Sequence, residues 1–311
     1  MSRVVQAGAY GGVEQLEVVE VPLPEPGAGQ VRVTVLAAGV NPADAKTLRG
    51  EFGRDESKLP LRLGTEVSGL VTALGEGVEG ISVGDEVIVS SARGGFADDV
   101  IAAASTVYPK PADVSFEEAS GLLLVGATAW HLLEATGVRE GETVLVHGAS
   151  GGVGSAVVQL ARLRGARVIG TAGAHSADRV RESGAEPVEY GDGLEDRVRS
   201  LAPDGVDVAL DTVGTDEAVD VSLALVADRA RIATIAAFPR AQAEGFLALG
   251  GGPGADPGTA IRRAAKPELL RLAEEGRYRV EVTRTFPLEQ AADALRFLAE
   301  GHPGGKVVLL P

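Results

Sequence analysis

The sequence predicts an α/β protein with two domains, one mostly β and one built on a parallel sheet covered by helices. Three observations predict this class: the length of 311 residues, short strand patterns separated by glycine and proline in the first third, and a regular alternation of strands and helices after it. A chain of this length can bury two separate hydrophobic cores.

Short strands dominate the first part of the chain. Residues 31–35 alternate apolar and polar side chains, as a strand buried on one face does. Residues 64–74 and 85–89 are further strand candidates bounded by glycines, and residues 22–29 form a turn-rich connector. The spacing predicts a compact, barrel-like β domain.

The periodicity changes near residue 116. Residues 116–135 have helical spacing, with Leu123, Ala127 and Trp130 on one face. Strands and helices then alternate, which predicts a parallel sheet with helices on both faces. The strands of this alternation are 143–147, 167–171, 206–211 and 231–235, and its helices are 153–164, 177–183 and 217–226. A glycine-rich loop follows at 245–258, and after it come predicted helices at 267–275 and 288–300 and a final strand at 306–310.

Charge and composition exclude several functions. The net charge is −15, and this sign repels phosphate backbones and anionic bilayers, so neither nucleic acid nor a membrane is an expected partner. The absence of cysteine excludes disulfides, thiolate catalysis and cysteine zinc sites, and favours a reducing cytoplasm. The N-terminus lacks the apolar region of a signal peptide, and the most apolar stretch, 121–130, is too short to span a bilayer.

The strongest chemical pattern is a glycine-rich turn between a buried strand and an amphipathic helix, His-Gly-Ala-Ser-Gly-Gly-Val-Gly over residues 147–154. Glycines let the backbone approach a pyrophosphate, whose charge is met by N–H groups at the helix start. An alanine occupies the first position of the G-x-G-x-x-G pattern, and a merely structural turn is the alternative. The candidate dinucleotide contacts are Ala149, Ser150, Gly151, Gly152, Val153 and Gly154.

The next strand indicates which nicotinamide is bound. NAD enzymes usually end this strand in an acid that binds the ribose 2′-hydroxyl, whereas this strand ends in Ala172 and Gly173. His175 and Arg179 follow and could donate to a 2′-phosphate, in hydrogen bonds worth about 1.5–3 kcal/mol each. They could instead be solvated helix residues. The pattern favours NADPH.

Residues 37–50, which include Gly39-Val40-Asn41-Pro42-Ala43-Asp44, resemble the G-[IV]-N-x-x-D signature of quinone oxidoreductases. Other segments resemble the same family in the same order: 64–69, 83–87, 94–97, 126–130, the glycine loop, 208–214 and 305–308. The resemblance covers essentially the whole chain. The sequence is therefore identified as a member of the zinc-free medium-chain dehydrogenase/reductases, of the quinone oxidoreductase (zeta-crystallin-like) type.

The resemblance implies a split layout. A GroES-like catalytic domain would comprise 1–118 with 265–311, a Rossmann NADPH-binding domain would comprise 119–264, and the active site would lie in the cleft between them. Zinc relatives carry cysteine where Asn41 stands and histidine where Thr65 stands. Glu66 remains, but one carboxylate cannot hold zinc, so no metal site is expected. Relatives are often dimers, which makes a homodimer the expectation.

The resemblance also implies catalytic residues. Asn41 would bond the nicotinamide amide or the acceptor oxygen, although it could be only an Asn-Pro turn residue. Lys46 would polarise the acceptor carbonyl or be a solvated side chain, and Asp44 would position either of them.

Further cofactor contacts follow from the same resemblance. Thr128 would line the nicotinamide ribose and phosphate, or else pack on a helix face. Tyr190 would lie beside the adenosine 2′-phosphate, or be an ordinary loop tyrosine. The remaining candidates are Asp211, Val213 and Gly214 in the turn after the fourth strand, and Lys306 in the last segment. His131, His147 and His302 lack metal-ligand spacing and are interpreted as structural.

The implied activity is zinc-free transfer of hydride from NADPH to a small electrophilic acceptor, a quinone or another α,β-unsaturated carbonyl compound. Two alternatives stay open. One is an enoyl-thioester reductase of fatty-acid or polyketide synthesis, and the other is a non-catalytic NADPH-binding sensor or structural protein.

Overall fold

The computed structural model describes residues 1–23, 25–301 and 304–311. The chain divides into two compact units, one formed by Met1–Leu124 with Ala273–Pro311 and the other by Val125–Leu272. We call them the terminal unit and the central unit.

From the N-terminus the first elements are β1 (Ser2–Ala7), β2 (Leu16–Val21), β3 (Gln30–Val40), α1 (Pro42–Arg49), β4 (Leu61–Arg62), β5 (Glu66–Leu74), β6 (Glu86–Ser90), β7 (Asp99–Ala103), β8 (Val107–Pro109), α2 (Phe116–Ala119) and α3 (Leu122–Ala135). They continue with β9 (Thr143–His147), α4 (Gly152–Leu163), β10 (Arg167–Ala172), α5 (Ala177–Glu182), β11 (Glu186–Glu189), α6 (Leu194–Leu201), β12 (Val208–Asp211), α7 (Asp216–Leu225), β13 (Ile232–Thr234), α8 (Phe238–Glu244), β14 (Leu247–Ala248) and α9 (Thr259–Glu274). The last elements are β15 (Val282–Pro287), α10 (Ala291–Ala299) and β16 (Lys306–Leu310).

The terminal unit is mostly β, as predicted. Its larger sheet has the order β15-β16-β3-β5-β6-β8, with β7 also paired to β3, and a smaller sheet has the order β2-β1-β4. Apolar side chains from β3, such as Val31, Val33 and Val35, fill the core of this unit. Because β16 runs antiparallel to β3 and Val307 pairs with Val40, the start of β16 lies beside the end of β3.

The central unit has a six-stranded sheet of order β11-β10-β9-β12-β13-β14, in which every pairing is parallel. Leu145, Ile169 and Ala209 belong to its buried core. The strand order reverses at β9, so the loop after β9 occupies the switch point where α/β sheets bind ligands. The predicted fold class, a GroES-like β domain with a doubly wound Rossmann domain, is confirmed.

Two helix predictions differ from the structure. The helix predicted over 116–135 is divided between α2 and α3, and the Ser120 hydroxyl donates to Glu117 O, 2.8 Å away, at the break. The helix predicted to begin at Pro267 begins instead at Thr259 and contains Pro267 in its interior. Proline is favoured at a helix start, where it needs no N–H partner, but here the residues before Pro267 are helical as well. No helix among the described residues is both long and apolar enough to cross a membrane.

Candidate active site

Asn41 and Asp44 form a closed junction between β3 and α1. The Asn41 backbone N–H donates to Asp44 Oδ2 at 2.8 Å, and the Asp44 N–H donates to Asn41 O at 3.0 Å. The other carboxylate oxygen of Asp44 accepts from the Gly64 N–H at 3.2 Å. An acid three positions after the N-cap residue satisfies the N-cap N–H in this way at many helix starts. Asp44 therefore fixes the backbone from which the Asn41 side chain projects.

The Asn41 side chain is held by a lysine from the far end of the chain. Lys306 Nζ donates to Asn41 Oδ1 at 2.5 Å, and Asn41 Nδ2 donates to Gly39 O at 3.2 Å. Asn41 is 2% exposed and Lys306 is 3% exposed. The sequence predicted Lys306 as a cofactor contact, whereas here its ammonium group bonds Asn41.

Two glycines make room for the Lys306 side chain. A Cβ at Gly39 would lie 2.9 Å from Lys306 Cε and 2.1 Å from Ser120 O, and one at Gly121 would lie 2.7 Å from Lys306 Cγ. Real Cβ atoms do not approach other heavy atoms so closely, so the stem of this lysine runs through a channel that any larger residue would narrow.

Carboxylates compensate the charge of the buried lysine. Burial lowers the pKa of Lys306, while Glu66 and Asp44 act to raise it. Burial raises the pKa of Asp44 to about 6, against the opposing effects of the Asn41 N–H, Lys306 and the Gly64 N–H. The cluster is therefore a coupled set of one cation and two acids, enclosed by protein.

Glu66, the residue that this sequence shares with zinc relatives, binds backbone N–H groups at the start of helix α3. It is fully buried, and its Oε1 accepts from the backbone N–H groups of Leu123 at 2.6 Å and Leu124 at 2.9 Å. A carboxylate at this position also offsets the positive end of the α3 dipole. The third predicted catalytic residue, Lys46, lies half-buried on α1. No group of three or more metal-ligating side chains occurs among the described residues.

In the central unit, the loop after β9 is shaped to receive a phosphate. Gly148 has a φ of +75°, and a Cβ there would lie 2.4 Å from Val213 Cγ2. A Cβ at Gly154 would lie 2.1 Å from Gly148 O, so α4 starts against the loop. The first N–H groups of α4, at residues 152–154, are those that a helix leaves without intrahelical acceptors.

The space in front of this helix start is open. A Cβ at Gly152 would meet only Val125 Cγ1, at 3.5 Å, and one at Gly151 only Gly148 O, at 3.4 Å. Ser150 and Val153 are half-buried, whereas Ala149 is fully buried and its N–H donates to Thr171 O at 3.0 Å. The backbone here has room for a pyrophosphate, and the N–H groups of residues 152–154 are its candidate donors.

The end of β10 and the loop after β11 lie together. Ala172 ends β10 without a carboxylate, and a Cβ at Gly173 would lie 3.1 Å from the Tyr190 hydroxyl. Tyr190 is 46% exposed, His175 is exposed and Arg179 is half-buried. These residues present polar groups beside a strand end that carries no acid.

Arg197 supports the loop that carries Tyr190, a role that the sequence did not reveal. Its guanidinium donates to the carbonyl oxygens of Glu189, Gly191 and Asp192 at 2.7–3.0 Å. Arg197 looks like an ordinary charge on the α6 surface in the sequence, and the carbonyls that it binds come from the preceding loop.

The turn after β12 is organised by Asp211. Its Oδ1 accepts from the N–H groups of Val213 and Gly214, each at 2.9 Å, and its Oδ2 accepts from the Thr234 hydroxyl at 2.6 Å. Asp211 is itself buried, and Val213 is 48% exposed. Asp211 therefore fixes the conformation of the turn, and Val213 is the turn residue whose side chain is exposed to solvent.

Thr128 belongs to a buried polar cluster that was not predicted. Arg262 donates from Nη1 to Thr128 Oγ1 at 3.2 Å and from Nε to His131 Nδ1 at 3.3 Å. Burial lowers the pKa of His131 in this cluster. His147, which ends β9 and lies outside the cluster, is also buried, and its pKa is lowered to about 4. His302 lies outside the described residues.

A parallel sheet with a glycine-rich loop at its switch point, and a β unit built from both ends of the chain, are the architecture of a dehydrogenase/reductase. A family profile for the alcohol dehydrogenase GroES-like domain matches residues 27–112, and one for zinc-binding dehydrogenases matches residues 176–309. The quinone oxidoreductase of Mus musculus is 30% identical over 100% of this chain and 98% of its own length. The chain belongs to the zinc-free quinone oxidoreductases of the medium-chain dehydrogenase/reductase family.

Other relatives show how widely this architecture is used. The spectinabilin polyketide synthase system protein NorB of Streptomyces orinoci is 37% identical over 99% of this chain, which spans 14% of NorB's length. The structure of Escherichia coli quinone oxidoreductase complexed with NADPH superposes with a TM-score of 0.87 at 27% identity over the whole of both chains. The CurK enoyl reductase structure gives 0.87 at 26% identity, covering 99% of both chains. An NAD-dependent alcohol dehydrogenase structure gives 0.88 at 33% identity, also over 99% of both chains.

Proposed function

We propose that this protein is an NADPH-dependent oxidoreductase that reduces quinones or other α,β-unsaturated carbonyl acceptors without zinc. The observation that carries the choice of NADPH is the end of β10, where Ala172 stands in place of an acid and a Cβ at the following Gly173 would lie 3.1 Å from the Tyr190 hydroxyl. The acceptor class is supported by similarity to quinone oxidoreductases over the full chain.

The central unit would hold the cofactor mainly through its backbone. The N–H groups of residues 152–154 would meet the pyrophosphate, and Tyr190, His175 and Arg179 would surround the 2′-phosphate. A nicotinamide supplies hydride chemistry when it is bound, and the protein contributes orientation and electrostatics.

Asn41 would orient the acceptor oxygen or the nicotinamide amide. Electron-poor acceptors accept hydride without a Lewis acid, so a neutral hydrogen-bond donor is sufficient at this position. Lys46 would assist in polarising the acceptor, with a proton coming from water or a weak acid.

A screen of NADPH and NADH oxidation over quinones, enones, enals and a crotonyl thioester tests the proposal. We expect faster turnover with NADPH than with NADH, and with quinones or enones than with the thioester. Activity should persist with a chelator, and elemental analysis should give no stoichiometric zinc. Equal affinity for both nucleotides, or one zinc per chain, would contradict the proposal.

An enoyl-thioester reductase is the second candidate, because both the NorB protein and the CurK enoyl reductase resemble this chain over 99% of its length. Preferential turnover of the crotonyl thioester in the same screen would favour it. Tight NADPH binding with no oxidation in any acceptor would instead identify a sensor or structural protein.

A further inference from the structure

The ammonium group of Lys306 faces a side-chain amide whose two ends have opposite hydrogen-bonding properties. An ammonium group can only donate, so the atom of Asn41 that lies 2.5 Å from Lys306 Nζ must be the oxygen. This contact therefore assigns the amide orientation on chemical grounds. The Nδ2 group is then directed toward Gly39 O, 3.2 Å away.

This orientation leaves one specific donor. Nδ2 carries two hydrogens, and among the described residues it has one acceptor, Gly39 O. A cation bonded to the amide oxygen also draws electron density from the nitrogen, which makes the remaining N–H a stronger donor. Without Lys306 the amide could rotate by half a turn and present its oxygen instead.

We propose that Lys306 is a positioning residue that fixes Asn41 as a hydrogen-bond donor toward the carbonyl oxygen of the acceptor. The inference rests on the proposed function, because it assumes that Asn41 orients the acceptor. It goes beyond that function by naming the residue that sets the polarity of Asn41.

The surrounding structure is arranged for this single lysine. The pairing of Val307 with Val40 places the start of β16 beside the residue that follows β3. Gly39 and Gly121 leave space for the lysine stem, since a Cβ at either position would lie within 3.0 Å of it. Asp44 and Glu66 both favour the charged form of Lys306, which the orientation requires.

A double-mutant cycle with Lys306→Met and Asn41→Ala tests the inference. Methionine preserves the length of the stem and removes the ammonium group. If Lys306 acts through Asn41, kcat with a simple quinone should fall about tenfold to a hundredfold in each single variant. The double variant should then be no slower than Asn41→Ala, because the lysine has nothing left to position.

Two further readouts separate positioning from a general loss of structure. Fluorescence titration should give an NADPH Kd within about threefold of the unmodified protein in all three variants. Urea unfolding of the same set should show coupling between Lys306 and Asn41, since contacting residues are not additive. Lys110→Met is the matched control, because Lys110 is also buried in the terminal unit and donates to Pro111 O and Val114 O. This control should lose stability and keep its kcat.

Gly121→Ala provides an independent route if Lys306→Met does not fold. The new methyl group would press on the lysine stem at 2.7–3.0 Å, and no backbone atom is among its three nearest neighbours. We expect kcat to fall with little change in the NADPH Kd. Gly8→Ala is its control, since a Cβ at Gly8 would have no neighbour within 4 Å.

The outcomes are distinguishable. If Asn41→Ala leaves kcat unchanged, the role of Asn41 in the proposed function fails. If Asn41→Ala slows turnover while Lys306→Met and Gly121→Ala do not, or if the two single effects multiply in the double variant, the positioning role of Lys306 is wrong and the proposed function stands.

Discussion

The polar residues of the two units are held in opposite ways. In the terminal unit Asn41, Asp44 and Lys306 are each at most 3% exposed, and Asn41 bonds the Asp44 carboxylate through its backbone N–H and the Lys306 ammonium group through its side chain. In the central unit Tyr190 and Val213 are 46% and 48% exposed, and the expected ligand donors are backbone N–H groups on a helix start.

This difference suggests that the terminal unit fixes the orientation of reacting groups, whereas the central unit provides affinity for the cofactor. A buried, mutually bonded cluster holds one geometry, because any rearrangement leaves a buried polar group unsatisfied. In the central unit the space in front of the backbone N–H groups is open and the side chains around them are exposed, so a substitution there disturbs the fold little. The affinity for a ligand would be the sum of many modest contacts. We therefore expect substitutions in the terminal unit to alter stability and turnover, and substitutions in the central unit's loops to alter cofactor affinity with the fold intact.

Gly39→Ala should have the largest effect. The added Cβ would lie 2.1 Å from Ser120 O, a backbone atom, so the strand end itself must move. We expect a loss of about 3 kcal/mol of stability or more, at the upper end for overpacked sites. Hydrogen exchange of the β3 amides measures it, and unchanged protection of β3 would contradict the close packing described here.

The two units should respond to acid in opposite directions. Burial lowers the pKa of His147 from 6.5 to about 4. Between these two pH values the unfolded chain binds a proton at His147 that the folded chain does not bind. The free energy of unfolding of the central unit should therefore fall by about 3 kcal/mol as the pH drops from 6.5 to 4. Burial raises the pKa of Asp44 from 3.8 to about 6, so the folded chain keeps a proton that the unfolded chain releases. The free energy of unfolding of the terminal unit should therefore fall by about 3 kcal/mol as the pH rises from 3.8 to about 6.

Each pH dependence has its own probe and its own neutral variant. The only tryptophan, Trp130, belongs to the central unit, so its fluorescence during urea unfolding follows His147, while hydrogen exchange of β3 follows Asp44. His147→Asn and Asp44→Asn should each flatten the profile of their own unit. If either profile keeps its slope in the neutral variant, another group is responsible for it.

Gly152→Ala should show the reverse pattern from Gly39→Ala. The methyl group would make an ordinary contact with Val125 Cγ1 at 3.5 Å, and alanine is the better helix former, so stability should be unchanged or slightly higher. It would also occupy space in front of the α4 N-terminus, and we expect NADPH to bind about tenfold to a hundredfold more weakly. Loss of stability without loss of affinity would place the phosphate elsewhere.

Ala172→Asp tests the nucleotide preference at the end of β10. A carboxylate there would repel a 2′-phosphate and could accept from a ribose hydroxyl, so NADPH should weaken by about tenfold and NADH should not. Ala172→Ser adds a polar group without charge and serves as the control. Parallel weakening of both nucleotides by the aspartate would show that the effect is steric.

The fold could be predicted from the sequence because periodicity reports burial, and burial decides which segments form the strands and helices of the two units. The strands that the pattern predicts at 143–147 and 306–310 have the same bounds in the structure. The division between α2 and α3 could not be predicted, because it depends on Glu66 binding the N–H groups of Leu123 and Leu124. Apolar spacing carries no information about a cap supplied from another part of the chain.

The candidate site was predictable where it uses local backbone and not where it uses distant partners. The glycine loop has its own sequence pattern, since strand, turn and helix are consecutive. The bond from Lys306 to Asn41 joins residues 265 positions apart, and only strand register brings them together. Gly39 and Gly121 were the available signals, but a glycine does not identify the atom for which it leaves space.

The smallest expected effect concerns the loop that carries Tyr190. Arg197 donates to three carbonyls of that loop, so Arg197→Met should loosen it and leave the core of the central unit unchanged. If Tyr190 contacts the 2′-phosphate, NADPH affinity should fall about threefold, and about as much in Tyr190→Phe, since one hydrogen bond is worth roughly 0.5–1.5 kcal/mol. NADH affinity, measured by the same titration, should change in neither variant. The double variant should be no worse than Tyr190→Phe if the arginine acts only by holding the tyrosine, whereas additive losses would mean that Arg197 stabilises the bound cofactor by a separate route.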